Sequence, residues 1–467
     1  MPDDPTTLNS LSRRDAQALL HPYSDALANE RDGALVMVRG EGVRVFDEDG
    51  RGYIEGMAGL WCAALGFGNE RLAEAAARQM RQLPFYHGFN QKSHEPQVRL
   101  AEKLLALAPA PMSKVFFAGS GSEANDTAVK LIWYMNNALG RPRKKKIIGR
   151  VRGYHGVTIA AGSLTGVPLN HQSFDLPIDR FLHADCAHYW RLAEPGESEA
   201  DYARRLAGNL DALITREGAD TVAAFFAEPV MGAGGVLIPP AGYFEQVQAV
   251  LKKHDVLFVV DEVICGFGRT GNWWGSQTYG LEPDMLICAK ALSSGYQPIS
   301  ALMVNERVFR PLAGKSAELG VLGHGFTYGG HPVAAAVALE TLAIYDEMDL
   351  IGRVQLTAPV LQAGIRRFAG HPLAGETTGV GMLAVIELVA DPETKAPFDP
   401  KARIGAHLVA RAQAQGLIVR ALGDRIAFSP PLVIAPEEIA EMFARFGRAL
   451  DITLGWVREQ GLLPARE

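Results

Sequence analysis

Residues 256–271 read VLFVVDEVICGFGRTG: five apolar positions run without a break into Asp261, then a glycine-rich turn. A strand with continuous rather than alternating apolar character is buried on both faces, as in a parallel sheet covered by helices. The pattern recurs on either side of this stretch. It appears at Val115-Phe116-Phe117-Ala118, Lys146-Ile147-Ile148, Ala223-Ala224-Phe225-Phe226-Ala227 and Met285-Leu286-Ile287-Cys288-Ala289. Gly-rich or polar turns follow these runs, often with a helical stretch beyond, which predicts an α/β domain over about residues 60–330.

The flanks have a different character. A polar arm and a short helix precede a hairpin over Val43–Glu55, where Asp49-Gly50 supplies the turn. Asn69 caps a helix reaching to Leu83, and a second helix covers Pro96–Ala108. After His331-Pro332 come a long Ala-rich helix to Met348, a strand-like Gly379–Val389 and a helix over Ala402–Gln415. Short strands at Leu417–Val419 and Arg425–Phe428 lead into a last amphipathic helix from Pro436. The expected organisation has three parts: an N-terminal segment, 1–60, joins a small α+β domain formed by 332–467, and 61–331 forms the large α/β domain.

Composition narrows the class. With 467 residues, 48% apolar and 21% charged, the chain has the balance of a globular protein large enough for two domains. The net charge of -6 offers no field for a polyanion, so nucleic acid is not an expected partner. The run Lys144-Lys145-Lys146 reads as a solvated turn. Cys62, Cys186, Cys265 and Cys288 form no Cys-x-x-Cys pair and read as reduced, mostly buried thiols. Met1–Arg14 lacks the apolar core of a signal peptide, and no stretch approaches the ~20 apolar residues of a membrane span. A cytoplasmic enzyme without membrane contact is the expectation.

In open α/β sheets ligands gather at the carboxyl ends of the strands, and the turns there carry telling residues. Gly119-Ser120-Gly121-Ser122-Glu123 opens a helix, so backbone amides, hydroxyls and the helix dipole converge on a cup suited to an anion. It has neither the Gly-x-x-x-x-Gly-Lys-Ser loop of nucleotide enzymes nor the Gly-x-Gly-x-x-Gly of dinucleotide folds. Asp261 closes a buried strand and needs a cation, a pyridinium nitrogen or else Arg269, unless it only caps its own turn. Lys290 follows another buried strand. Burial there lowers an amine's pKa and frees it for a Schiff base, although a lone lysine after a strand is commonly a solvated helix start. Tyr154, flanked by Gly153 and, one residue further on, Gly156, can lie against a flat ring or simply pack in its loop. The combination says more than any member.

At these residues the chain resembles the class III aminotransferases of pyridoxal-phosphate fold type I, in particular the amine:pyruvate and ω-amino-acid:pyruvate branch. The matching stretches are Ser120-Gly121-Ser122-Glu123-Ala124-Asn125, Gly153-Tyr154-His155-Gly156, Asp261 to Gly271, Ala289-Lys290 and Phe326-Thr327-Tyr328. The resemblance implies a mostly parallel seven-stranded sheet and pyridoxal 5'-phosphate as cofactor. It implies that Lys290 holds the cofactor and serves as general base, with Asp261 keeping the pyridine nitrogen protonated. Tyr154 and Val263 would sandwich the ring, Gly121 and Ser122 would bind the phosphate, and Glu228 would lie behind the ring. Thr327 would reach the phosphate of a neighbouring subunit, which implies a homodimer with interface sites and leaves room for a tetramer. Trp61, Phe89 and Tyr23 would shape the amine pocket, and Arg420 would grip a substrate carboxylate.

The expected reaction moves an amino group from a primary amine or ω-amino acid to a keto acid, with pyruvate giving alanine. An aminomutase or a decarboxylating transaminase would share the cofactor, and a non-catalytic ligand sensor would share the fold. Five positions depart from relatives: Ala291 after Lys290, Gly329 after Tyr328, His87 and Gly88, and Gln297. They flank the site and bear on which substrate is taken.

Overall fold

The computed structural model describes residues 10–464. The first residues of the expected polar arm therefore lie outside the described residues. The centre of the fold is a seven-stranded sheet. Its order is Lys114–Ala118, Ser300–Val304, Met285–Cys288, Leu257–Asp261, Val222–Ala227, Lys146–Arg150 and Phe181–Ala184. Six strands run parallel, and Ser300–Val304 alone is antiparallel to both its neighbours. Val222–Ala227, Leu257–Asp261 and Met285–Cys288 are buried at every position. That is the condition that makes a strand read as an unbroken apolar run.

The sequence reading omitted Phe181–Ala184 and Ser300–Val304. The first is an edge strand carrying His183, with mixed burial. The second is fully apolar after Ser300 but starts two residues beyond Pro298, inside what reads as one long Gly/Ser turn.

Two four-stranded sheets flank the first. One joins Met37–Glu41, Arg44–Asp47 and Gly52–Glu55 to Leu417–Ile418, with Ile54 opposite Leu417 and Glu55 opposite Ile418 in parallel register. The other joins Ala374–Val380, Leu383–Leu388, Arg425–Phe428 and Arg420–Leu422. The strand-like stretch at 379–389 is thus the second half of a hairpin that turns at Gly381 (φ 55°). Arg420 begins a strand of its own that pairs back on Arg425–Phe428.

Helix boundaries follow their caps. Asn69 accepts the Leu72 amide at 3.2 Å and starts Glu70–Gln82. Pro332–Glu347 begins on Pro332, where the missing N–H costs nothing. The Lys144–Lys146 run corrects its reading as a solvated turn. Lys144 is buried with Nζ on the carbonyls of Ala219 (3.3 Å) and His254 (3.5 Å). Lys145 caps the Trp133 carbonyl at 2.8 Å, and Lys146 pairs with Glu217 at 2.7 Å. Each cation is thus tied to a carbonyl or a carboxylate of a neighbouring segment and is not left to solvent.

Candidate active site

Three neighbouring strands end side by side, and each delivers one ionisable side chain. Glu228 follows Val222–Ala227, Asp261 is the last residue of Leu257–Asp261, and Lys290 comes two residues after Met285–Cys288. Strand spacing of about 4.8 Å brings these loops into one crevice. Lys290 starts a short 3-10 turn with φ 50°, a left-handed backbone that costs about 1–2 kcal/mol in a non-glycine residue. Burial pulls its ammonium below the usual lysine range, against Asp261 and Glu228, which pull it up. The free amine is the form that can attack a carbonyl.

Asp261 is 3% exposed and has no Arg or Lys partner among the described residues; Arg269 turns instead to the Pro430 carbonyl, 2.5 Å away. The Asp261 Oδ2 accepts from Asn125 Nδ2 at 3.0 Å and from His155 Nδ1 at 2.9 Å, and Oδ1 accepts the Val263 amide at 3.1 Å. A carboxylate can only accept, so the shared proton sits on His155 Nδ1. Burial raises the Asp261 carboxyl, but the hydrogen bonds from His155 and Asn125 outweigh it and leave it below the ordinary range. An ionised, buried carboxylate supported only by neutral groups and one imidazole suits a cationic ring nitrogen. Asn125 and His155 stood inside the quoted motifs without a role. No periodicity or spacing marks them, because they meet Asp261 only in three dimensions.

Glu228 braces the Tyr154 loop. Its Oε1 accepts the Tyr154 amide and its Oε2 the Gly232 amide, both at 2.9 Å, and burial raises its carboxyl. Val263 packs on Gly121, where a β-carbon would lie 3.2 Å from its methyl, so the glycine-rich turn and the turn after Asp261 touch. Ser120 caps the helix Gly121–Ala138 through the Glu123 amide at 3.2 Å, which leaves the Gly121 and Ser122 amides without intrahelical partners. Ser122 Oγ accepts the Val157 amide at 3.2 Å and thereby ties the cup to the Tyr154 loop. These residues fit pyridoxal 5'-phosphate: an amine, a buried carboxylate, an aromatic face and an anion cup all open on one crevice.

The pocket wall gathers around Trp61. Lys290 Nζ lies 5.9 Å and Arg420 Cζ 5.2 Å from its ring centre. Tyr23 hydrogen-bonds Tyr154 and takes a bond from Asn170, and both tyrosines face Arg420. Among the described residues Arg420 has no carboxylate partner, and burial lowers its guanidinium. Trp61 sits on a strained turn: Ala58 (φ 48°), Gly59 (φ 68°) and Trp61 (φ 59°) are all left-handed.

Phe89 and Thr327 stand apart. Phe89 lies against Gly325, where a β-carbon would be 3.0 Å from its ring, and both Phe89 and Thr327 are exposed. Among the described residues neither makes a hydrogen bond or ring contact with Trp61, Tyr154, Lys290 or Arg420. The departure at Gly329 has a local cause. A β-carbon there would lie 2.6 Å from the Phe117 carbonyl, so this backbone admits only glycine.

A lysine and an acid on adjacent strand ends, with an anion cup at a helix start, define a pyridoxal-phosphate enzyme of fold type I. The aminotransferase class-III family model matches residues 26–450, and the chain belongs to that family. It is an aminotransferase that uses pyridoxal phosphate to move an amino group from an amine or ω-amino acid to a keto acid. Among relatives, it is 49% identical to the chloroplastic gamma aminobutyrate transaminase 3 of Solanum lycopersicum, over 94% of this chain and 85% of that one. It is 46% identical to vanillin aminotransferase of Capsicum frutescens, over 94% and 96%. The crystal structure of the omega transaminase from Pseudomonas jessenii in complex with PMP superposes with a TM-score of 0.95 at 53% identity, covering 96% of this chain and 99% of that one.

Proposed function

We propose that this aminotransferase takes amines and ω-amino acids with an apolar or aromatic body and passes the amino group to pyruvate, giving alanine. The observation that carries the reading is the pair of nitrogen groups on one indole ring: the Lys290 amine near Trp61 and, near the same ring, an Arg420 with no carboxylate of its own among the described residues. A short keto acid can then set its carboxylate on Arg420, through two parallel hydrogen bonds, and its carbonyl toward Lys290. An amine without a carboxylate would meet Trp61, Tyr23 and Tyr154 instead. The relatives named for γ-aminobutyrate and vanillin derivatives support a donor range of this kind.

The bound cofactor supplies an electron sink for charge that develops at the reacting carbon. Lys290 would move the proton at that carbon, and burial, which lowers its pKa, favours the free amine that this requires. Asp261, held by His155 and Asn125, would offer its carboxylate to the ring nitrogen of the cofactor and favour its protonated form. Tyr154 and Val263 would hold the ring, Gly121 and Ser122 would bind the phosphate, and Glu228 fixes the Tyr154 backbone.

Phe89 and Thr327 belong, on this reading, to the site of a second subunit in a homodimer, the smallest assembly that completes a site. Their exposure supports it, together with the nearby exposed rings of Phe85, Tyr86 and Tyr328. The division into 1–60 with 332–467 and 61–331 is our reading of the domains, supported by the pairing of Leu417–Ile418 with Gly52–Glu55. A reducing compartment such as the cytoplasm suits the four free cysteines. Among the described residues no helix is long and apolar enough to cross a membrane.

The test is a screen of donors (β-alanine, diamines, aromatic amines) against pyruvate, with alanine measured. Alanine formed in step with donor loss supports the reading. An isomerised amino acid without alanine would mark an aminomutase and overturn it.

A further inference from the structure

Glu55 is a buried carboxylate that the chemistry above leaves unused. It ends the strand Gly52–Glu55, is 6% exposed, and makes no ion pair among the described residues. Its partners are backbone: Oε1 accepts the Met57 amide at 2.9 Å, and the Gly59 N–H, outside ordinary hydrogen-bond geometry, also favours its ionised form. Burial pushes the carboxyl up to about 7, and no cation offsets it.

The two amides belong to the turn that carries Trp61. Ala58, Gly59 and Trp61 are left-handed there, and Leu60 at φ -132°, ψ 59° interrupts the helix. Strain of this kind persists only where surrounding structure enforces it. Other holds on the turn are the Trp61, Cys62 and Ala63 amides bonding back to the Met57 and Ala58 carbonyls (2.8, 2.9 and 3.0 Å), Cys62 Sγ on the Leu60 carbonyl (3.2 Å), and the packing of Met57 and Trp61 in one cluster with Val230, Val385 and Ala427. The strand below is pinned independently, since the Gly56 amide bonds the Ile418 carbonyl at 2.9 Å, two residues before Arg420. The base of the turn is therefore fixed by the sheet, and Glu55 is the side chain that holds its entry, at the Met57 amide.

We propose that Glu55 is a positioning residue for Trp61: its carboxylate, taking the Met57 amide beside the Gly59 N–H, enforces the left-handed turn that sets the indole against Lys290 and Arg420. It touches no substrate. It acts on donor binding through the ring, so it deepens the pocket assignment made under the proposed function and rests on it for the kinetic arm only.

The test compares Glu55→Gln, Glu55→Asp and Trp61→Phe in the cofactor-loaded enzyme. Gln keeps one acceptor oxygen but turns an NH2 group toward the second amide; Asp keeps both oxygens and can accept amides two and more residues ahead, as in an Asx turn. In near-UV circular dichroism, the band lost in Trp61→Phe should shrink by half or more in Glu55→Gln and return in Glu55→Asp. The donor KM should rise about tenfold in Glu55→Gln, with kcat at saturating donor within threefold of wild type, because Lys290 stands on another element. A Glu55→Gln enzyme with the wild-type band and wild-type KM overturns the proposal. If the parent enzyme transaminates no amine, the functional reading fails, while the circular dichroism comparison still decides the role of Glu55.

Discussion

Replacing Asp261 by Asn probes both the hydrogen-bond network and the charge it holds. The carboxylate accepts three hydrogen bonds, two on Oδ2 from Asn125 and His155 and one on Oδ1 from the Val263 amide. An amide has one oxygen. Placed at the Oδ2 position it serves Asn125 and His155 but points an NH2 at the Val263 N–H; flipped, it opposes two donors. The unmet buried donors cost about 1–3 kcal/mol of stability. The larger loss is electrostatic, because a cationic ring nitrogen facing position 261 would lose its counter-charge in a site where Asp261 is 3% exposed. Stripping one partner from a buried ion pair costs about 3–5 kcal/mol, which lowers the rate about two to nearly four powers of ten. The assay is single-turnover transfer from an amine donor to pyruvate, with cofactor occupancy checked by its visible absorbance. An Asp261→Asn enzyme that retains cofactor and turns over within threefold of wild type would refute the reasoning.

Lys290→Ala should abolish turnover and the absorbance of the lysine-bound cofactor; full activity in that variant would remove Lys290 from the mechanism. Arg420→Gln should raise the KM for pyruvate by about 10- to 100-fold, the worth of charged hydrogen bonds of about 1.5–3 kcal/mol, and leave the half-reaction of a carboxylate-free amine within threefold. An equal loss on both halves would contradict the carboxylate role. Glu262 is fully buried on Gly275 and Ser276, and its carboxyl is raised from 4.5 to about 7. The folded chain therefore holds a proton there that the unfolded chain releases from about pH 4.5 upward. Its contribution to stability falls as pH rises through that window, by on the order of 3 kcal/mol at pH 8. Urea unfolding at pH 5 and pH 8 should show that slope flattened in Glu262→Gln; an unchanged slope would place the proton elsewhere.

What could be read from the chain follows from where each signal is stored. Strands buried on both faces announce themselves, so Val256–Val260 and Met285–Ala289 were plain, and with them Asp261 and Lys290 at their ends. Phe181–Ala184 was hidden by His183 and its place at the sheet edge. The partners of Asp261 were hidden for another reason: Asn125 sits on a helix and His155 in a loop, and only the closed sheet brings them to one oxygen. The turn before Trp61 could not be foreseen either, since nothing local in Met57-Ala58-Gly59-Leu60 marks alanine and tryptophan as left-handed. Lys144 misled because a basic run reads as solvated until the helix carbonyls it caps are in view.

One parallel ladder has a further consequence for how this enzyme comes into being. Leu417–Ile418 completes the sheet begun by Met37–Glu41, so Trp61 and Arg420, 5.2 Å apart, come from distant parts of the sequence. During synthesis the indole must wait for nearly all of the remaining chain to emerge before its cationic neighbour exists, and the closing contact is a costly, long-range one. A nascent chain ending before that strand has no Arg420 to set beside Trp61, and it also lacks Phe428, Phe443 and Phe446 from the core cluster that includes Leu286 and Met303.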